Sequence, residues 1–308
     1  MSVPMPFVIA PCRHDDLATL QALARHPSLA DEFEPLQTDA GFEKIMGDPL
    51  MRPEHRWIAS VDGMPAAFCF AYLAPTHDGA FAMIRLGVVE RFRRQGIGEG
   101  LLACCTSSLE PFRASHGLAE LNLSGWQPNP VAERFALRHG YAHTRSFWRM
   151  ERAAGAIAPP RWPDGIVVRT FDGSERELAA FNETYNRSFA DHYHYVRSTL
   201  DDTRAVIAQA HFAPEGLALA WRDGACVGFS RNVRHGPAGE VALVGVVPES
   251  RGMGLGRALL RWSVDWLMEQ RVDPLFLMVD GENETALEIY RSEGFQVVRT
   301  RMHWNRPF

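Results

Sequence analysis

The 308-residue chain has no apolar run approaching the 20 or so residues needed to cross a bilayer, and Met1–Pro11 lacks a basic start followed by a long apolar core. Basic charge is not in excess either. Lys+Arg 32 against Asp+Glu 37 gives a formal net charge of −5, so nothing general draws the chain to nucleic acid. Cysteine is scarce: Cys12, Cys69, Cys104, Cys105 and Cys226 form an odd set with no CxxC, and the histidines keep no metal-ligand spacing. Disulfides, a metal site and membrane spans are not expected; buried thiols in a cytoplasmic protein are.

What the chain has is length and apolar content. At 46% hydrophobic residues it can build about two domains with their own cores. Pro159, Pro160 and Pro163 within Glu151–Gly165 suit a linker, which places a boundary near residue 155. In the first half the pattern predicts a helix over Asp15–Arg25, then a loop toward Pro53. A hairpin of Trp57–Val61 and Pro65–Leu73 follows, turning at Asp62-Gly63, and Phe81–Val89 is the next strand. In the second half Ser174 and Glu177 have the spacing of a capping box, ahead of a helix with an apolar face of Leu178, Phe181, Tyr185 and Phe189. A helix over Asp202–His211 and a hairpin turning at Arg222–Gly224 come next.

Gly239–Leu267 is the most informative stretch. It alternates like a strand from Glu240 to Val247, breaks at Pro248, crowds glycines at 252, 254 and 256, and continues as a helix. Strict alternation puts Glu240, Ala242, Val244 and Val246 on one face and Val241, Leu243, Gly245 and Val247 on the other. Amides around Arg251–Gly256 would lack intrahelical partners and could receive a phosphate beside Arg251 and Arg257; an ordinary tight strand-to-helix turn is the alternative.

The stretch recurs. Val89–Leu102 aligns on Val247–Leu260 at a separation of 158 residues, and Asn129, Ala132 and Gly140 align on Asn283, Ala286 and Gly294 at 154. Two glycine turns followed by the same order of elements imply a tandem duplication.

These motifs resemble the GCN5-related N-acetyltransferase superfamily. Its Arg/Gln-x-x-Gly-x-Gly/Ala pattern stands complete as Arg251-Gly252-Met253-Gly254-Leu255-Gly256, and again as Arg93-Arg94-Gln95-Gly96-Ile97-Gly98. The resemblance implies an α+β (mixed αβ) fold in two tandem domains with splayed central sheets: a degenerate domain over residues 1–155, structural or coenzyme A-binding, and a catalytic one over 156–308. It implies acetyl-coenzyme A as cofactor, held by the backbone of Val244, Val246 and Val247, by residues 251–257 including Met253, Leu255 and Arg257, and by Asn283, which can also cap the helix after it. Val89, Arg93, Arg94, Gln95, Gly96, Ile97 and Gly98 would form a second such site.

The chemistry assigns the remaining roles. An amine must be neutral to attack a thioester, so a proton acceptor is needed, directly or through water; the resemblance gives that position to Glu240, which could otherwise be an exposed edge residue. Tyr290, in the NExxALxxYxxxGF arrangement, would protonate the leaving thiolate. In the first half the 158 and 154 separations put Ala82 and Ala136 at these positions, and neither can move a proton. The acceptor is expected to be a small-molecule primary amine. The cysteinyl amine of a mycothiol precursor is one possibility; an aminoglycoside, a polyamine or a peptide is the alternative, as is a regulatory coenzyme A-binding module without turnover. The aromatic segment Ala190–Thr199 would line the acceptor pocket or merely join helices. Nothing in the sequence decides between monomer and homodimer.

Overall fold

The computed structural model describes residues 6–76, 79–209 and 211–308. In chain order the first half gives β1 (Phe7–Pro11), α1 (Leu17–Ala24), α2 (Asp39–Met46), β2 (Arg56–Val61), β3 (Met64–Thr76), β4 (Gly79–Val88), α3 (Ile97–His116), β5 (Leu118–Trp126), α4 (Pro130–Arg138) and β6 (Ala142–Arg152). The second gives β7 (Val167–Thr170), α5 (Glu175–Phe189), α6 (Leu200–Ile207), β8 (Leu217–Arg222), β9 (Ala225–His235), β10 (Ala238–Val246), α7 (Leu255–Glu269), β11 (Leu275–Asp280), α8 (Glu284–Ser292) and β12 (Gln296–Pro307). The order repeats element for element, as a duplication requires.

Two compact units result, Met1–Thr144 with Met302–Phe308, and Arg145–Arg301. The sequence cut near residue 155 differs from this division in kind as well as place. Most of β6, encoded before the proline-rich stretch, belongs to the second unit, and the end of β12 belongs to the first. The strand order is β1-β2-β3-β4-β5-β12 in the first unit and β6-β11-β10-β9-β8-β7 in the second.

Local chemistry sets the registers. Asp62 and Gly63 take φ of 48° and 74°, and Asp223 and Gly224 take 50° and 81°, the left-handed pair that a two-residue hairpin turn needs. These turns fix β2 against β3 and β8 against β9. The stretch read as a loop before Pro53 contains α2, whose N-terminus Thr38 caps by accepting the Gly41 amide. Ser174 caps α5 through the Glu177 amide, but the capping box does not close. The Glu177 carboxylate is buried instead, accepting from Arg169 at 2.7 Å and from the Asp172 amide at 2.8 Å. The expected helix over Asp202–His211 is α6, two residues earlier at its start; residue 210 lies outside the described residues.

In the second unit α7 buries Leu260, Val264 and Leu267 with Val241, Leu275 and Leu277, while α5 buries Leu178 and Phe181 with Phe229. Its sheet is thus covered by a helix on each face, burying the apolar side chains of both. Among the described residues no helix is long and apolar enough to cross a membrane, and no cluster of His, Cys, Asp and Glu could hold a metal ion.

Candidate active site

Strand β10 is antiparallel to β9 with a register shift between Val241 and Leu243. That is a one-residue bulge at Ala242, and it overturns the strict alternation expected from the sequence, because an extra residue flips everything beyond it. Val241 and Val244 pack with the α7 cluster, whereas Leu243 packs with Phe181, Tyr185 and Phe189 of α5. Glu240, one residue before Val241, therefore shares the α5 face with Leu243 and Gly245, and not with Val244 and Val246.

On its other side β10 is parallel to β11 through only Gly239↔Leu275 and Glu240↔Phe276. Beyond Glu240 the strands part. The Val247 N–H donates to Val227 O at 3.0 Å, toward β9, so by alternation Val244 and Val246 turn their backbone groups to the open side of β10. Glu240 stands where the strands separate.

The turn after β10 places its amides beyond Val246, past the far end of this open side. Gly252 and Gly254 have φ of 79° and 90°, a region where a side chain would be strained. A Cβ on either would meet nothing within 4 Å, and one on Gly256 would meet only Val246 Cγ2 at 3.9 Å. Positive φ accounts for Gly252 and Gly254, and Gly256 in its helical backbone leaves room for a ligand beside the amides. Gly254 is the N-cap of α7 with no side-chain cap, and the first helical bond runs from the Ala258 N–H to Gly254 O, leaving the Leu255, Gly256 and Arg257 amides without intrahelical acceptors. Open space, free amides and a positive helix end fit a pyrophosphate, as coenzyme A would present.

The two arginines expected beside that phosphate are engaged elsewhere. Arg251 folds back, donating from Nε to Val246 O at 3.2 Å and from Nη2 to Ser188 O at 3.0 Å. Arg257 donates to the buried Glu293 carboxylate at 3.1 Å, which Arg261 also holds. Arg93 repeats the Arg251 geometry in the first unit, bonding Val88 O at 3.0 Å and Ser28 O at 3.2 Å. In both copies the motif arginine braces the turn. Met253 takes a 3.9 Å contact from Arg222 on its sulfur, and Leu255 is buried under the sheet.

Glu240 pairs with His235, Nε2 to Oε2, at 2.7 Å, and keeps 23% of its side-chain surface open. The same face carries Arg231, whose charged form burial disfavours, with the opposing charge of Glu240 restoring part of the loss; its Nε is buried without a partner among the described residues. Phe276, Met278 and Asp280 continue the face on β11, beside Arg149 and Arg145 of β6. His235 and Arg231 sit five and nine residues before Glu240, a spacing that signals nothing until the hairpin register is known. Arg145 arrives from the other half of the sequence.

Tyr290 lies on α8 at the edge of the apolar cluster that includes Val244 and Val279. Burial pushes its hydroxyl up to about 12, so it stays protonated at neutral pH. Asn283 caps α8 by accepting the Ala286 amide at 3.1 Å, as Asn129 caps α4 from Ala132 at 3.0 Å. The aromatic segment after α5 is pinned by Asn186, which accepts from the Ser198 amide and the Tyr195 hydroxyl, both at 2.8 Å. Tyr193 lies under the Arg145 guanidinium at 4.3 Å, beside the Asp280 that Arg145 bonds at 2.7 Å.

The first unit lacks the bulge: β3 and β4 pair without a shift from Ala67↔Val88 to Thr76↔Gly79. With Leu243 matched to Arg85, the extra residue matches Glu240 to Met83, which sits between Tyr72 and Asn122, and not to the Ala82 that the 158-residue separation gives. Tyr290 does match Ala136, since Phe295 and Tyr141 donate to their carbonyls alike at 3.0 Å. Val89 is buried, and Gly96 caps α3 with φ of 84°, but the position of Gly252 is taken by Arg94 at φ 61°. Ile97 is buried, Gln95 buries its Oε1 without a partner, and a Cβ on Gly98 would meet Phe135 Cε2 at 3.4 Å.

Known proteins match this architecture. The family model for the acetyltransferase (GNAT) family matches residues 19–141 and again 178–295. A mycothiol acetyltransferase of Thermobispora bispora is 33% identical over 91% of this chain and 92% of its own, and one of Thermomonospora curvata is 36% identical over 76% of each. Among solved structures, a GCN5-related N-acetyltransferase from Sphaerobacter thermophilus has a TM-score of 0.77 at 22% identity, covering 98% of this chain and 96% of its own. A tandem GNAT protein from the clavulanic acid biosynthesis pathway has a TM-score of 0.69 at 17% identity, with 98% of each covered. With both halves matched and a 33%-identical relative spanning nearly the whole length, the chain belongs to the acetyltransferase (GNAT) family.

Proposed function

We propose that the chain is an acetyl-coenzyme A-dependent N-acetyltransferase whose chemistry is done by the second unit, with the cysteinyl amine of a mycothiol precursor as acceptor. The observation that carries the site is Glu240 at the point where β10 and β11 part, held by His235, with an open glycine turn following the other end of β10. The acceptor rests on the names of the relatives, among them the 33%-identical mycothiol acetyltransferase of Thermobispora bispora.

When bound, acetyl-coenzyme A supplies an acyl group activated as a thioester. The chain's own residues do the rest. The amides of 252–257 and the α7 dipole hold the pyrophosphate, and the open side of Val244 and Val246 offers backbone partners to the arm. Glu240 takes the proton that the acceptor amine must lose, directly or through a water, while His235 keeps the carboxylate turned to the acceptor face. Tyr290, kept protonated by burial, gives a proton to the departing sulfur. The half-buried Arg231 and the ion pair of Arg145 with Asp280 offer charge to a polar acceptor on the α5 face.

The test is product mass and initial rate with acetyl-coenzyme A and a panel of cysteinyl-glucosaminyl-inositol, aminoglycosides, polyamines and short peptides. Selective acetylation of the cysteinyl conjugate supports the acceptor. Turnover of another amine replaces the acceptor and keeps the site, and coenzyme A binding without transfer to any of them sinks the catalytic assignment.

A further inference from the structure

The first unit carries the same glycine motif, yet the space around it is filled by the chain itself. Strands β4 and β5 remain paired through Ile84↔Leu123, one step past the position matching Glu240, so parting starts later. Where they do part, side chains bridge them. Arg85 of β4 donates from Nη1 to Ser124 Oγ of β5 at 2.5 Å and from Nη2 to Glu32 Oε1 at 2.9 Å. The other oxygen of Glu32 accepts the backbone N–H of Trp126 at 3.0 Å. One ion pair, with 19% and 21% of its two side chains exposed, thus ties both strands together at the mouth of the cleft. The second unit has Leu243 in place of Arg85, and among the described residues no such clip spans β10 and β11.

The turn is altered in the same sense. Phe135 of α4 stands 3.4 Å from where a Gly98 Cβ would be, and the Phe7 ring 3.8 Å from that of Gly96. The matching positions, Gly256 and Gly254, face only Val246 Cγ2 and open space. Glu99 puts a carboxylate in the first turn of α3, where α7 has no acidic residue, and opposes an anion at that helix end. The Gln95 Oε1 buried in the turn is an acceptor and offers nothing to a phosphate.

We infer that the first unit takes no coenzyme A: the Glu32–Arg85 clip occupies the mouth of its cleft, and the chain binds one equivalent, at the second unit. A bound arm would have to break a part-buried ion pair and strip an acceptor from the Trp126 amide. The glycine turn survives there because its left-handed geometry and Arg93 brace are needed to start α3, with or without a ligand.

This inference rests on the glycine turn being the cofactor's place, and its test separates the two. Calorimetric titration of the full chain with coenzyme A should give one equivalent, and Gly254→Val should abolish it. Two equivalents in the unaltered chain, or one surviving in folded Gly254→Val, would overturn the inference. Should the variant not fold, hydrogen exchange on the unaltered protein decides: coenzyme A should protect amides over 244–257 and leave 86–98 unchanged. Protection at 86–98 overturns the clip. Absence of any binding leaves the first unit empty as inferred and sinks the cofactor assignment of the second.

Discussion

His235 Nε2 lies 2.7 Å from Glu240 Oε2, joining the end of β9 to the one carboxylate of β10 at the point where the sheet opens. The two residues flank the tip of the hairpin, so the pair is built by the fold and not by neighbouring chain positions. Glu240→Gln should lower kcat by about 100- to 10,000-fold, the usual size of a general-base effect, with coenzyme A affinity unchanged. His235→Phe should lower kcat with little change in the KM for acetyl-coenzyme A, while His235→Gln, which retains a donor, recovers part of the loss. Steady-state kinetics on the three variants checks this, and full activity of His235→Phe would remove the histidine from the site.

Tyr290 gives a different signature. With its hydroxyl pushed up to about 12 by burial, it is protonated throughout the working range, so ionisation of Tyr290 should not bring activity down below pH 10. Tyr290→Phe should cost on the order of 100-fold in kcat. The loss should shrink with an acyl donor whose leaving thiol is more acidic, since such a group needs no proton. Equal losses for both donors would leave the tyrosine a packing residue.

The duplicated fold was legible because its signals are local: Asp-Gly at both hairpin tips, the glycine turns, and asparagine caps at 129 and 283. The site was legible in part. A one-residue bulge at Ala242 has no signature in an apolar run, and it alone turns Glu240 away from Val244 and makes Met83, not Ala82, its counterpart. Membership of β6 in the second unit is equally silent, because strand pairing is non-local and either half offers a suitable strand; Arg145 and Arg149 stayed hidden with it. Motif arginines read as phosphate ligands from charge alone, yet the carbonyls of Val246 and Ser188 lie within their reach.

That brace makes a contrast between the copies. Arg251→Gln loses two charge-assisted bonds on a side chain that is 46% exposed, a cost of about 1 kcal/mol, less than the ~1.5–3 of a buried one. Coenzyme A affinity should fall with it as the turn loosens. Arg93→Gln should lower stability by a similar amount and leave affinity untouched. Thermal melts and binding titrations of the two variants distinguish a brace from a direct phosphate ligand, which would lose affinity without losing stability.

His55 governs an acid response of the first unit. It is fully buried, bonds Ser108 Oγ through Nδ1 at 2.9 Å, and burial pulls its pKa below the ordinary 6.5. Below about 6.5 the unfolded chain takes up a proton that the native state refuses, so stability is lost as pH falls from there toward the native value. The melting temperature should drop between pH 7 and pH 5.5, and His55→Gln, neutral in both states, should flatten that slope even if it is less stable at pH 7. An equal slope in the variant would assign the acid response to other groups.

Gly256 separates scaffold from binding most cleanly. It has an ordinary helical backbone, it lies in the first turn of α7, and a Cβ there would make a van der Waals contact with Val246 Cγ2 at 3.9 Å. By folding criteria glycine is a poor choice, since exchange for leucine improves helix propensity by up to about 0.8 kcal/mol. Gly256→Leu should therefore keep or raise the melting temperature while weakening coenzyme A binding at least tenfold, because the new side chain enters the space beside the amides. Its counterpart Gly98→Leu would collide with Phe135, and should lose stability without changing the affinity of the chain for coenzyme A. Unaltered affinity in folded Gly256→Leu would mean that the cofactor does not approach this backbone, and the bare turn would then have no ligand to account for it.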